Sequence, residues 1–196
     1  LDFYDRLVDG LLDRGVDPMV TLYHWDLPES LEAEGGWANR RIVRDFVEFT
    51  RVMVDRLGDR VSNWITINEP LSVVGAGYLA GAHAPGRRNL VAALRALHHL
   101  LLAHGQGVAA IKEMLPNSRV GIANAFSPVY PFRRKDIRAA TRVSATLNRL
   151  CMDPILLGHY PKELEGLIRL INRGIRPGDF DLMSTPLTKT HFSGHI

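Results

Sequence analysis

Apolar residues recur along this chain with two periods that take turns. Phe3, Leu7, Val8, Leu11 and Leu12 fall three or four positions apart with Asp and Arg between them. That spacing predicts an amphipathic helix over residues 2–14, ended by Gly15. After Asp17-Pro18, residues 19–24 form a short apolar run that reads as a strand buried on both faces. An irregular connection through Gly35-Gly36-Trp37 follows, with a short helical turn over 30–34. Ile42, Phe46, Phe49, Val52, Met53 and Leu57 then mark a second amphipathic helix over 41–57, closed by Gly58. Residues 61–67 alternate as a short buried strand, and 71–89, rich in Gly, reads as a long loop. A helix over 90–115, a strand over 119–124 and helices near 137–150 and 162–171 complete the pattern.

Helix, strand, loop, helix, strand, loop, helix, strand is the order of repeated βα units on a parallel sheet. A doubly wound sheet competes with a barrel, but no Gly-rich phosphate loop follows any of the strands. Three successive strands instead finish in polar groups: His24 with Trp25, Asn68 with Glu69, and Asn124. Polar groups at successive strand ends are expected at the C-terminal face of a β/α barrel. The fold class is therefore α/β, with a β/α barrel favoured over the doubly wound sheet.

Composition leaves that picture standing. The chain has 196 residues, 46% hydrophobic and 23% charged, as in an ordinary globular protein. Its net charge of +3 comes from 20 Arg against 4 Lys. The clusters Arg40-Arg41, Arg87-Arg88 and Arg133-Arg134-Lys135 have no interleaved aromatics, so solvated surface accounts for them better than a nucleic-acid groove. No apolar run approaches the ~20 residues of a membrane span. The one cysteine, Cys151, lies in an apolar helical context and reads as a reduced, packed thiol, which fits the cytoplasm.

The stretch with most chemistry is Val61-Ser62-Asn63-Trp64-Ile65-Thr66-Ile67-Asn68-Glu69-Pro70. Pro70 has no N–H for a ladder, so the strand stops there and leaves Asn68 and Glu69 at its C-terminal end. A carboxyl group on a rigid strand end beside an amide suits proton transfer, although a polar turn would use the same residue types. Asp26 and Glu29 also follow a strand end. Loop amides for Asp26, and capping of the short turn by Glu29 with Ser30, are the simpler roles. His98, His99 and His104 lack the spacing of a helical zinc motif and read as satisfied polar positions on the helix, and His83 as loop packing.

Leu22-Tyr23-His24-Trp25-Asp26-Leu27-Pro28, Ile65-Thr66-Ile67-Asn68-Glu69-Pro70, His83-Ala84-Pro85-Gly86 and His98-His99-Leu100-Leu101-Leu102-Ala103-His104-Gly105 together resemble the central part of glycoside hydrolase family 1, the β-glucosidases and their relatives. Gly35-Gly36-Trp37, Asp153-Pro154-Ile155 and Gly158-His159-Tyr160-Pro161 add to the likeness, which runs to about residue 186. The resemblance implies part of a (β/α)8 TIM barrel, an incomplete barrel of about three complete βα units that hold the family's third to fifth strands, and cleavage of β-linked glycosides with retention of configuration. It implies no metal and no organic cofactor. Glu69 matches the general acid/base, Asn68 a residue that bonds the sugar 2-hydroxyl, and His24 a glycone contact, with Trp25 in or just behind the same site. Trp64, Trp25 and Tyr23 are the aromatic residues available to surround Glu69.

The chain also departs from that family. Retaining hydrolysis needs a second carboxylate about 5 Å from the first. The family carries it in an Ile/Val-Thr-Glu-Asn-Gly segment, which this sequence lacks, as it lacks the family's first two strands and its Asn-Tyr-Tyr strand. Residues 187–196 match no recognised segment of that family and read as a truncation or altered reading frame near Leu187. The resulting expectations are an isolated chain of little or no activity and self-association through exposed sheet edges.

Overall fold

The computed structural model describes residues 1–184 and the backbone of residues 191–192. Helix α1 (Asp2–Leu12) leads into β1 (Met19–Tyr23), a short α2 (Glu29–Ala33) and a single tight turn at Gly36–Ala38. Helix α3 (Ile42–Leu57) connects to β2 (Asn63–Asn68), and α4 (Pro70–Val74) continues as a wider π turn over Gly75–Ala80. Next come α5 (Leu90–Met114), β3 (Arg119–Ala123), α6 (Ile137–Ser144), a second π turn (Ala145–Arg149) and α7 (Leu150–Leu157). Helices α8 (Glu165–Ile168) and α9 (Asp179–Ser184) follow, and β4 (His191–Phe192) is a two-residue strand.

The strands form one sheet in the order β1-β2-β3-β4, every pair parallel. Parallel neighbours need a crossover, and α3 and α5 supply the two that matter. At the start of the β1–β2 ladder Met19 is registered with Asn63, whose amide donates to Asp17 Oδ2 at 3.0 Å. β2 is central, and all six of its residues are buried. α5 packs on β2, β3, α3, α7 and α9, so most of its middle is buried on all sides, from Leu94 through Ile111. Each fully buried Leu or Ile there contributes about 1.5–3 kcal/mol relative to exposure.

Several expectations change. Residues 71–89 are not one loop, because Pro70 occupies the first helical position, where its missing N–H costs nothing, and the helix runs on through the π turn to Ala80. β1 is buried only at Leu22 and Tyr23, since it lies at the sheet's edge and no strand among the described residues covers its outer side; Met19 is 47% exposed. Phe49 and Val52, placed on the inner face of α3 by spacing, are exposed. The helix near 137–150, with the extension past Cys151 that the sequence allows, does run on to Leu157, whereas that near 162–171 is a broken series of tight turns around α8. Pro28 caps α2 without a side-chain bond, so Glu29 and Ser30 sit inside the helix and do not cap it. The expectation for residues 187–196 lies outside the described residues, except that His191 and Phe192 pair with Val120 and Gly121.

Candidate active site

Parallel strands end on one rim. His24 and Trp25 follow β1, Asn68 ends β2 with Glu69 next to it, and Asn124 follows β3. The ladder is irregular just below that rim: Ile65 pairs with Gly121 but Asn68 pairs with Ala123, three steps on β2 against two on β3. Such a bulge bends a strand and re-aims the side chains beyond it. The Glu69 N–H still donates to the Ala123 carbonyl at 2.8 Å, and the backbone then turns into the left-handed region at φ 45°, ψ 66°. A residue before proline prefers an extended conformation, and any residue with a Cβ is strained in the left-handed region because that atom crowds the backbone carbonyl. Among the described residues only one other non-glycine has positive φ, Trp25 at 80°. Strain of this kind persists where the surroundings impose it, commonly at functional sites.

Trp25 is tied to the residue that precedes Glu69. The Trp25 indole N–H donates to the Asn68 carbonyl at 3.0 Å, and the Asn68 amide nitrogen lies 3.4 Å from His24 Nε2. The carboxylate of half-buried Glu69 accepts a hydrogen bond from the Ser72 hydroxyl at 2.7 Å. Ser72 escaped the sequence reading because α4 did; Pro70 followed by Leu71, Val73 and Val74 was the available signal. Of the three aromatics expected near Glu69, only Trp25 bonds its strand end. Trp64 turns its indole back to the Val61 carbonyl at 3.1 Å, and Tyr23 packs edge-on to Trp37 with ring centroids 5.0 Å apart. Asn124 is directed to Met152 Sδ at 3.1 Å, toward α7.

Behind Trp25 lies a cavity of about 560 Å³ bounded in part by Glu29, Glu32, Tyr78 and His83. His83 packs on Trp25 with centroids 5.4 Å apart. Glu32 pairs with Arg87, whose guanidinium lies 5.5 Å from the centre of the Tyr78 ring. Burial, reinforced by the Glu32 charge, pushes the Tyr78 phenol up to about 12. Asp26 is exposed at the rim, and among the described residues no loop amide bonds its carboxylate.

The helix histidines have partners of their own. His98 bonds the Tyr160 hydroxyl at 3.0 Å and Asp179 at 2.9 Å, His99 the Trp37 carbonyl at 2.8 Å and His104 the Thr66 hydroxyl at 2.7 Å. Among the described residues no three His, Cys, Asp or Glu side chains are grouped to hold a metal ion, and no helix is long and apolar enough to cross a membrane.

Comparison with known proteins bears on this geometry. A model of glycosyl hydrolase family 1 matches residues 1–185. Beta-glucosidase A of Thermotoga maritima is 45% identical over 165 residues, 83% of this chain and 37% of the relative. Thermostable beta-glucosidase B of Thermobispora bispora is 46% identical over 199 aligned positions, 100% of this chain and 41% of the relative. The crystal structure of a psychrophilic beta-glucosidase from Micrococcus antarcticus superposes with a TM-score of 0.86 at 44% identity, covering 94% of this chain and 40% of that one. The Thermotoga maritima beta-glucosidase in complex with deoxynojirimycin gives 0.84 at 40% identity, covering 93% and 41%. The chain thus spans about two fifths of these relatives' length, and its open sheet is part of a (β/α)8 barrel. With nearly every residue matched and the strand-end residues gathered on one rim, this chain belongs to glycosyl hydrolase family 1.

Proposed function

We propose that this chain is the acid-bearing portion of a retaining β-glucosidase, with Glu69 as general acid/base. The observation that carries the reading is the position of Glu69 on a bulged strand end, carboxylate bonded to Ser72, beside an Asn68 that is braced by Trp25 and His24. A sugar oxygen leaving from the anomeric carbon must gain a proton as the C–O bond breaks. A carboxyl group fixed on a rigid rim can deliver it and later take a proton from the attacking water. Asn68, a neutral amide, bonds a glycone hydroxyl without competing for that proton, and His24 serves a neighbouring hydroxyl. The names of the relatives favour β-glucosides as the substrate class.

The nucleophilic carboxylate, about 5–5.5 Å from the acid in retaining enzymes, comes in this reading from barrel strands outside the 196 residues. The isolated chain therefore holds sugar-binding groups without turning over, and its open strand edges favour pairing with another copy or with the missing units. The buried Cys151 thiol fits a reducing, cytoplasmic setting.

The test is a chimera in which residues 1–184 replace the matching segment of an intact family member. The chimera should release nitrophenol from an aryl β-glucoside. Glu69→Gln should slow cleavage of an alkyl glucoside by about a thousandfold or more, but that of a dinitrophenyl glucoside, whose leaving group needs no proton, far less. Equal losses on both substrates, or none, would remove Glu69 from the acid role.

A further inference from the structure

We infer that the cavity ringed by Arg40, Arg95, Arg173 and Arg176 binds the phosphate group of a small organic phosphate monoester, at a site separate from the Glu69 rim. The cavity has a volume of about 410 Å³ and lies between the start of α3, the outer side of α5 and the segment before α9, with His98 and His99 among its lining residues. That volume falls within the roughly 300–1,000 Å³ of small-molecule sites.

Its charge is unbalanced. Arg40 is neutralised by Asp179, a side chain 1% exposed whose Oδ2 also accepts from His98 Nε2 at 2.9 Å and the Arg176 backbone N–H at 2.8 Å. Asp179 is therefore committed to the wall. Arg95, Arg173 and Arg176 are exposed, and among the described residues none has an acidic partner, whereas Arg56, Arg60, Arg149 and Arg169 all do. Three uncompensated guanidinium groups around one concavity repel each other until an anion enters. Their planar forks match the oxygens of a phosphate, which can accept several parallel N–H bonds at once.

Two features favour an ester over free phosphate. Ala38 and Ile171 give the cavity an apolar side suited to a carbon skeleton. His99 donates through Nδ1 to the Trp37 carbonyl, so its Nε2 is left as an acceptor for a hydroxyl of the ligand. Burial holds both histidines below their ordinary range, His99 at about 4, so neither adds charge near neutrality.

Calorimetric titration of the full chain with glycerol 3-phosphate and with inorganic phosphate, at fixed ionic strength and pH 7.5, tests the inference. Glycerol 3-phosphate should bind saturably at one site and more tightly than inorganic phosphate. Arg95→Ala, Arg173→Ala and Arg176→Ala should each weaken it about tenfold, and the triple variant should abolish it with unchanged circular dichroism. Removing two exposed arginines elsewhere, Arg138→Ala with Arg142→Ala, should leave it within about twofold. Absence of saturable binding, equal loss in that control, or a triple variant that binds like the parent would overturn the site. Tighter binding of inorganic phosphate would overturn the assignment to an ester.

Discussion

Trp25 and Asn68, 43 residues apart, are joined by an indole N–H donated to a backbone carbonyl at 3.0 Å, which ties the end of β1 to the end of β2. The bond uses the main chain of Asn68 and leaves its amide side chain free to point at His24 and the opening. Trp25→Phe keeps a ring but deletes the donor. In the chimera it should reduce kcat/KM by about fivefold to tenfold, the value of one lost positioning hydrogen bond. Steady-state kinetics would check this, and an unchanged kcat/KM would show the bond to be incidental.

Stability should depend on pH through His99. Its folded value is held at about 4, against 6.5 for the free side chain, first by burial. Between those values the unfolded chain binds more protons than the folded one, so stability is fully present above pH 6.5 and is lost as pH falls toward 4. The loss is on the order of 3 kcal/mol at most. Urea denaturation at pH 7.5 and pH 5 should show the difference, and His99→Gln, which can still donate to the Trp37 carbonyl, should shrink it.

Gly105 should not tolerate a methyl group. A Cβ there would lie 2.1 Å from the Leu182 carbonyl oxygen and 2.7 Å from the Met183 Cα, backbone atoms of α9 that cannot swing aside. Gly105→Ala should cost about 1–3 kcal/mol. Gly166→Ala, with nothing within 4 Å of the new atom, should be neutral or slightly stabilising. Thermal melts of both variants would compare them directly.

Cys151 should be inert while the chain is folded. Burial pushes its thiol up to about 12, so almost no thiolate exists at neutral pH. A disulfide dye at pH 7.5 should react only after denaturant is added; prompt labelling of the native chain would contradict the packing.

The most legible part of the sequence was the centre of the sheet. β2 announced itself by alternation and by a proline that stops it, and both properties are local, so Asn68 and Glu69 could be placed at a strand end from the residues alone. α4 was hidden because it is only five residues long and the π turn that continues it carries Gly75 and Gly77 with Gly81 just beyond, which dilute the apolar spacing and suggest a loop. Asp179 was unreadable for a different reason: its partners Arg40 and His98 are 139 and 81 residues away, and no spacing rule spans such distances. Burial of the histidines on α5 followed from its apolar run, but which carbonyl or hydroxyl each would meet did not.

The left-handed backbone at Glu69 sets the position of that carboxylate against the thermal endurance of the chain. Glycine enters that conformation at no steric cost, which roughly offsets its larger loss of backbone freedom and the lost Ser72 bond, so Glu69→Gly should stay within about 1 kcal/mol of the parent even though it discards the carboxylate. A screen for robustness alone would therefore barely distinguish the two, and only an assay of what the carboxylate does would separate them.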